Sequence, residues 1–535
     1  MNKKYTLFLI IFCSVITVAY AQTDPLKLQF HRLAARRYIF SNNILLNELK
    51  PNEVVGMGSM HPSLAVSADD NALADTENKP EIKNGELMFS GSTGKTMRTA
   101  TVNVGGVNPF ATYELAVIAV NCKGNDQTEV GIDLASLNLH NRIQVIVHYG
   151  GNKPGVFLRL YKDAKQLSEL QLSAVIPVAP YLLQMQLSGR ELSVFSTAAG
   201  KTSMLGRTAA GQHFGDVIDF RNREQCAGSV FNIVTNLSSS ASVTIASAKS
   251  FLSPGVGQAD IRLITNKDGS PYFENSRVWF TFSCRGDSQS SYQGVMSFNP
   301  SVGDFRFDGG IVFDHGDGLL RNDYASHIFY DSDTGEWQAL ACDFGGSANH
   351  EGRGATGLIM AHSKHDPRFG FSVMQARALT TDQIAGHHED PCIIYDATAK
   401  KWRLLTSTFV EKNIAASLFE SDNWNGPFKK IAGPVAYNST GTLLQKIGGK
   451  YYALSGGQGP MMVYSYPDLT LLGNLKIDLP PGFPKQPGRV WPTVFPLPEG
   501  YPYPYMMLSM DRNNYPDIKG PTWSYGALYL YGALQ

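Results

Sequence analysis

Three short runs in the second half of the chain hold side chains able to move protons. His387-His388-Glu389-Asp390-Pro391 stands just before the apolar run Cys392–Tyr395. Asn322-Asp323 precedes Ser326–Tyr330, which contains His327, and Asp260 precedes Ile261–Thr265. Two carboxyl groups flanking one bond can divide the work of cleaving it. One protonates the leaving oxygen, and the other activates water or attacks the carbon. A neighbouring carboxylate also raises the pKa of the acid, which keeps it protonated at neutral pH. On this reading Asp260 is the base or nucleophile, Glu389 the acid, and Asp390 or Asp323 the charge partner. His388 and His327 are the alternative donors, because imidazole titrates near neutrality. Each choice has a plainer counterpart. Asp390-Pro391 can simply shape a turn, and His327 lies inside an apolar strand, where a core histidine with both nitrogens satisfied is the expectation.

These residues are far apart in sequence, so the elements that carry them must bring them together. From residue 256 onward one pattern recurs five times: an apolar strand, a tight polar turn, then an aromatic-rich strand. The turn-plus-strand halves are Glu274–Gly286, Asp333–Gly345, Ala399–Phe409, Gly448–Gly459 and Gly500–Asp511. Self-similarity at about fifty to sixty-five residues marks a radial β-architecture. Five repeats predict a five-bladed β-propeller over 256–535, with the leading ends of the first strands around one axis. Aligning those strands puts Asp260, Ala325, Asp390, Thr440 and Trp491 at comparable places. Trp279, Trp337 and Trp402 recur on the second strands and are expected in the core between blades. The chain stops soon after the fifth third-strand, Gly526–Tyr531, so the last fourth strand must come from elsewhere or be absent; a strand from the other end of the domain would remove an exposed edge.

Upstream, alternating strands such as Tyr113–Asn121, Arg142–Tyr149, Val156–Tyr161 and Leu182–Phe195 predict a β-sandwich (jelly roll) over 86–252. Ser188-Gly189 reads as a hairpin turn within the last of these. Ser253-Pro254-Gly255 marks the boundary to the repeats. Residues 22–85 have little period and read as an N-terminal segment and linker. Residues 1–21 read as a secretory signal, with Lys3 and Lys4 before the apolar run Leu7–Val18 and Ala19-Tyr20-Ala21 as the cleavage site. The expectation is an exported protein, periplasmic or extracellular, with no membrane span.

Composition excludes some partners. The 46 basic and 46 acidic side chains cancel, which leaves no electrostatic footprint for nucleic acid. With 51 Gly, 28 Pro and 11% aromatics, the chain fits a turn-rich β protein. Beyond residue 21 the cysteines are Cys122, Cys226, Cys284, Cys342 and Cys392, an odd number, so at least one is unpaired. A Cys122–Cys226 disulfide is left open. No Cys/His spacing suggests zinc, no cofactor is called for, and structural calcium and oligomeric state are left open.

Asp390-Pro391-Cys392-Ile393-Ile394-Tyr395 and the connection Asn423-Trp424-Asn425-Gly426-Pro427-Phe428 resemble the five-bladed propeller glycoside hydrolases of the arabinanase, xylosidase and fructosidase type. The upstream segment resembles the concanavalin-like sandwiches that accompany secreted carbohydrate enzymes. The resemblance covers about Val256–Gln535 and implies glycosidic cleavage of an oligosaccharide or polysaccharide side chain. It also implies a carbohydrate site at the strand mouths, to which His387, Asn322, His327, Arg489 and Trp491 would contribute contacts, Arg489 and Trp491 by holding and stacking a sugar ring. The sequence departs from the arabinanase pattern at the fourth blade, which opens Asn438-Ser439-Thr440-Gly441 in place of an acidic Glu. The Glu-Cys pair of the fructosidase type is also absent. Two other functions therefore stay beside hydrolysis: a catalytically silent carbohydrate-binding propeller, and a propeller polysaccharide lyase.

Overall fold

A computed structural model describes residues 23–36, 38–49, 80–91, 97–124, 126–208, 214–285, 291–345, 354–411, 413–457, 459–478, 490–510 and 528–534. Strands dominate throughout, and their alternation explains the layers. In Gln127–Ser136, Val130, Ile132 and Leu134 face the core while Glu129 and Asp133 face away. Two antiparallel sheets stack in this way to form the N-terminal sandwich. One has six strands, in the order Lys165–Ser173, Gly155–Lys162, Arg142–Gly150, Gln127–Ser136, Ser229–Leu237, Arg98–Gly106. The other is built around Tyr181–Ser188, Thr112–Asn121 and Ser242–Leu252.

The second half folds as a β-propeller. Among the described residues it contains five four-stranded antiparallel meanders, whose first strands are Gly257–Leu263, Tyr324–Asp331, His388–Asp396, Thr440–Ile447 and Val490–Pro496. Each first strand lies against the next, and the fifth lies against the first, so the ring closes. The first two meanders are joined through their outer strands, which pair in parallel from Gly309↔Gly370 to Asp314↔Gln375. Glycine permits this approach: a Cβ on Gly309 would lie 2.6 Å from the Gly370 carbonyl oxygen.

The described residues ahead of Glu86 pair with both halves of the chain. Gln29–Arg36 pairs antiparallel with Leu528–Leu534 and supplies the outer strand of the fifth meander, so the closing strand comes from ahead of the sandwich. Ile44–Leu45 pairs with Phe251–Leu252. Glu81–Lys83 forms a hairpin with Glu86–Ser90 through Asn84-Gly85, both at positive φ, so sandwich structure begins before residue 86.

The sandwich and propeller share one apolar core. Phe110 packs on Tyr292 and Phe371 at centroid distances of 5.7 and 6.3 Å. The Tyr292 hydroxyl donates to the Ser253 carbonyl at 2.6 Å. The short helix Arg223–Ala227, capped by Asn222, sits beside the connection that leads into the second meander, where Arg223 pairs with Asp314. All five described cysteines are free: the Cys122 thiol donates to the Asp126 carbonyl and the Cys226 thiol to that of Val107. The Cys122–Cys226 disulfide does not form. Residues 1–21 lie outside the described residues, among which no helix is long and apolar enough to cross a membrane.

Candidate functional site

Each first strand carries the same irregularity near its leading end. The pairing register slips between Ala259 and Arg262, Tyr324 and His327, Glu389 and Cys392, Thr440 and Leu443, and Val490 and Thr493. Inside each slip one residue takes left-handed backbone: Asp260 (φ 53°), Ala325 (57°), Asp390 (55°), Gly441 (61°) and Trp491 (63°). A bulge of this kind bends the strand and re-aims a side chain. Holding non-glycine residues at positive φ stores local strain, a feature concentrated at functional sites. In the fourth meander the position falls on Gly441, one residue beyond the Thr440 expected from sequence. A Cβ there would lie 2.7 Å from the Trp491 side chain, which explains the glycine.

Asp260 and Asp390 are the two carboxylates in this ring, and both are buried. One oxygen of Asp260 accepts from the Ser283 hydroxyl at 2.6 Å. One oxygen of Asp390 accepts from the Thr440 hydroxyl at 2.5 Å and the Gly441 N–H at 2.7 Å. Burial, and then the charge of Asp260, push the Asp390 carboxyl above its ordinary pKa; the Gly441 and Thr440 bonds and the Arg262 guanidinium offset part of this. Glu389 is half-buried beside them. The Cys342 sulfur accepts the Asp390 N–H at 3.1 Å, and its thiol is pushed well up, by burial first and then by the charges of Asp390, Glu389 and Asp260. The charges of carboxylates from two meanders are thus felt at one buried thiol.

Arg262 completes this centre and was not singled out from sequence. Its guanidinium is fully buried, donates to the carbonyls of Thr442 and Asp390, and lies 4.6 Å from the centroid of the Trp491 ring. Its Nε has no hydrogen-bond partner. The available signal was a cation inside the first strand, two residues beyond Asp260. Trp491 is buried against this cation. Arg489 lies outside the described residues.

Asp323 has partners of its own. It is fully buried, accepts the Gly345 N–H at 2.6 Å and pairs with Nε2 of His315 at 3.0 Å. His315, in the connection into the second meander, was also missed; a His-Gly-Asp-Gly turn gives no chemical signature by itself. Its remaining ring nitrogen has no hydrogen-bond partner among the described residues. Asn322 donates to the Ser291 carbonyl, which is a packing contact.

The other histidines are committed elsewhere. His327 accepts the Ile393 N–H at Nδ1 and bonds the Thr265 hydroxyl at Nε2, which ties three consecutive meanders together. Burial, and then the Arg262 charge, hold its pKa well below the ordinary value, so it is a neutral core residue. His388 bonds the hydroxyls of Thr406 and Thr408 through Nδ1 and the Ala385 carbonyl through Nε2. Burial lowers its pKa to about 4. With both nitrogens engaged it positions the strand and has no proton to give a substrate. His387 packs on Phe409 at 4.9 Å. Trp279, Trp337 and Trp402 are buried core residues. Among the described residues no group of three or more His, Cys, Asp or Glu side chains is placed to hold a metal ion.

No family model matches the chain, and no curated protein matches it in sequence. Solved structures that it resembles are glycoside hydrolases. The catalytic domain of a family 62 α-L-arabinofuranosidase from Coprinopsis cinerea superposes at TM-score 0.36 and 12% identity, covering 52% of this chain and 91% of that one. A family 117 glycoside hydrolase of Zobellia galactanivorans gives TM-score 0.36 and 10% identity, over 52% and 84% of the two chains. A levansucrase of B. subtilis gives TM-score 0.36 and 12% identity, over 52% and 86%. At these values the likenesses assign no residue and no reaction to this chain.

Proposed function

We propose that the chain is an exported glycoside hydrolase that cleaves a glycosidic bond in an oligosaccharide or polysaccharide side chain at the mouth of the propeller. The observation that carries this reading is the pair of buried carboxylates Asp260 and Asp390, each held at the bulge of a first strand, with the half-buried Glu389 next to Asp390 in the chain. Asp260, oriented by Ser283, serves as base or nucleophile. Glu389, the least buried of the three, protonates the leaving oxygen. Asp390, held by Thr440 and Gly441, is the charge partner and orienter of the pair. The domain division is part of the proposal: a concanavalin-like sandwich supports a catalytic propeller closed by its N-terminal strand.

A silent carbohydrate-binding propeller is the second reading. It is favoured by Gly441, which puts no carboxylate at the ring position of the fourth meander, and by the Arg262–Trp491 stack on the axis. One experiment separates the two. A panel of arabinans, galactans, xylans and fructans is incubated with the parent chain, Asp260→Asn and Glu389→Gln, and products are read by mass. Hydrolysis predicts products heavier by water and a loss of about 10²–10⁴-fold in kcat for each variant. Near-parental rates in both variants remove the proposed pair. Binding without turnover supports the silent reading, and unsaturated products absorbing in the ultraviolet support a lyase.

A further inference from the structure

Two arginines of the propeller are almost completely buried, and they are held in opposite ways. Arg368 is 2% exposed and is answered directly by Asp366 at 2.6 Å and Glu274 at 2.7 Å. Arg262, in the first strand Gly257–Leu263, is 1% exposed, and its bonds go to uncharged groups. They are the main-chain carbonyls of Thr442 and Asp390, the latter at 3.2 Å, and the Cys392 sulfur. A charge taken out of water is costly unless an opposite charge answers it.

The titratable groups that feel the Arg262 charge come from three meanders. They are Asp260 on its own strand, Asp390 and Cys392 on the first strand of the third meander, and Cys342 and His327 on the second. Burial pushes both thiols up and holds His327 well down, so these three are neutral. Thr442 and Trp491, its contacts from the fourth and fifth meanders, carry no charge. Asp260 and Asp390 are therefore the anions that this cation answers. One cation for two carboxylates leaves a single negative charge over, which suits a mouth where positive charge develops on a sugar.

We propose that Arg262 is a positioning residue of this mouth: it is the counter-charge that lets Asp260 and Asp390 stand ionised together, and its fork ties the Asp390 bulge to the fourth meander. For its effect on rate, though not for its effect on the carboxylates, this rests on the hydrolytic reading. A guanidinium suits both tasks, because its planar fork reaches two carbonyls while its face lies on the Trp491 ring. A lysine in its place keeps the charge and loses the fork and the stack.

The test compares the full chain with Arg262→Met and Arg262→Lys by urea unfolding between about pH 4 and about pH 8. The Asp390 pKa is raised in the fold, so the stability tied to it is present at low pH and lost as pH rises through that value. Without the guanidinium that value climbs further. The stability gap between the parent and Arg262→Met is therefore expected to widen as pH rises, while the gap to Arg262→Lys stays level. A loss of packing alone gives Arg262→Met a gap of one size at every pH, and that result overturns the proposal. Where a glycan is turned over, the acid limb of kcat/KM is expected to move up by about 1 pH unit in Arg262→Met. Arg262→Lys is expected to return it to the parental position, and a limb unmoved in Arg262→Met overturns the proposal as well. If Arg262→Met does not fold, Asp260→Asn and Asp390→Asn are added to remove the unanswered anions. Folding is then expected to return, and its failure to do so overturns the proposal. Absence of turnover by the parent chain removes the hydrolytic reading alone, because the unfolding gap is read without substrate.

Discussion

The backbone turns left-handed at 260, 325, 390, 441 and 491, but the five side chains there have different uses. Two are carboxylates, one is a buried alanine, one is the glycine that makes room for a tryptophan, and one is that tryptophan. The sequence legibly placed Asp260, Ala325, Asp390 and Trp491 at comparable positions because each lies just ahead of a short apolar run. It placed Thr440 where Gly441 stands, because a bulge adds a residue without changing the apolar pattern. Histidine roles were less legible, since bonding partners far away in sequence decide them. His388 gives a test. Its pKa in the fold, about 4, lies below the ordinary 6.5. The unfolded chain therefore binds a proton first as pH falls, and the stabilisation by neutral His388 is present above about pH 6.5 and lost towards pH 4. His388→Gln is expected to destabilise the fold by about 1–3 kcal/mol at neutral pH, by leaving buried partners unpaired. It should also flatten the stability profile across that interval, as followed by urea unfolding at a series of pH values. A parallel-shifted, equally steep profile would assign the titration to another group.

At the scale of elements, the strand Gln29–Arg36 is the one whose place sequence reasoning could not specify. The fifth repeat supplies only three strands of its own, but the source of the fourth was not legible, because QFHRLAAR carries no repeat signature. Phe30 explains why it docks: it is fully buried in the cluster formed with Tyr531, Ala533 and Leu475. Phe30→Ala is expected to cost about 3–5 kcal/mol. It should also leave Leu528–Leu534 prone to edge-to-edge association, measurable as a lower midpoint in denaturant together with light scattering on warming. A midpoint shift below 1 kcal/mol would show that the strand is dispensable for closure.

For the whole molecule, the closing strand lies ahead of the sandwich in sequence while the rest of the propeller lies after it, and Phe110, Tyr292 and Phe371 knit the two together. Unfolding of one half exposes the other's core. The full chain is therefore expected to melt in one calorimetric transition, and residues 256–535 expressed alone are expected to aggregate. Two resolved transitions, with that fragment folding by itself, would contradict the shared core. The same architecture holds the rim of the second meander: Arg223 of the sandwich grips Asp314, next to the His315–Asp323 pair.

Sequence alone determined that the chain is all-β, that a sandwich precedes a repeated radial array, and which ends of the repeats carry carboxylates. Period and turn chemistry are local properties and can be read along the chain. Tertiary structure decided which of those groups meet. It held Asp390 against Thr440 and Gly441, gave Asp323 to His315, and buried Arg262 between Asp390, Thr442 and Trp491. These are contacts between residues tens to hundreds of positions apart, and closure of the ring and curvature of the sheets bring them together.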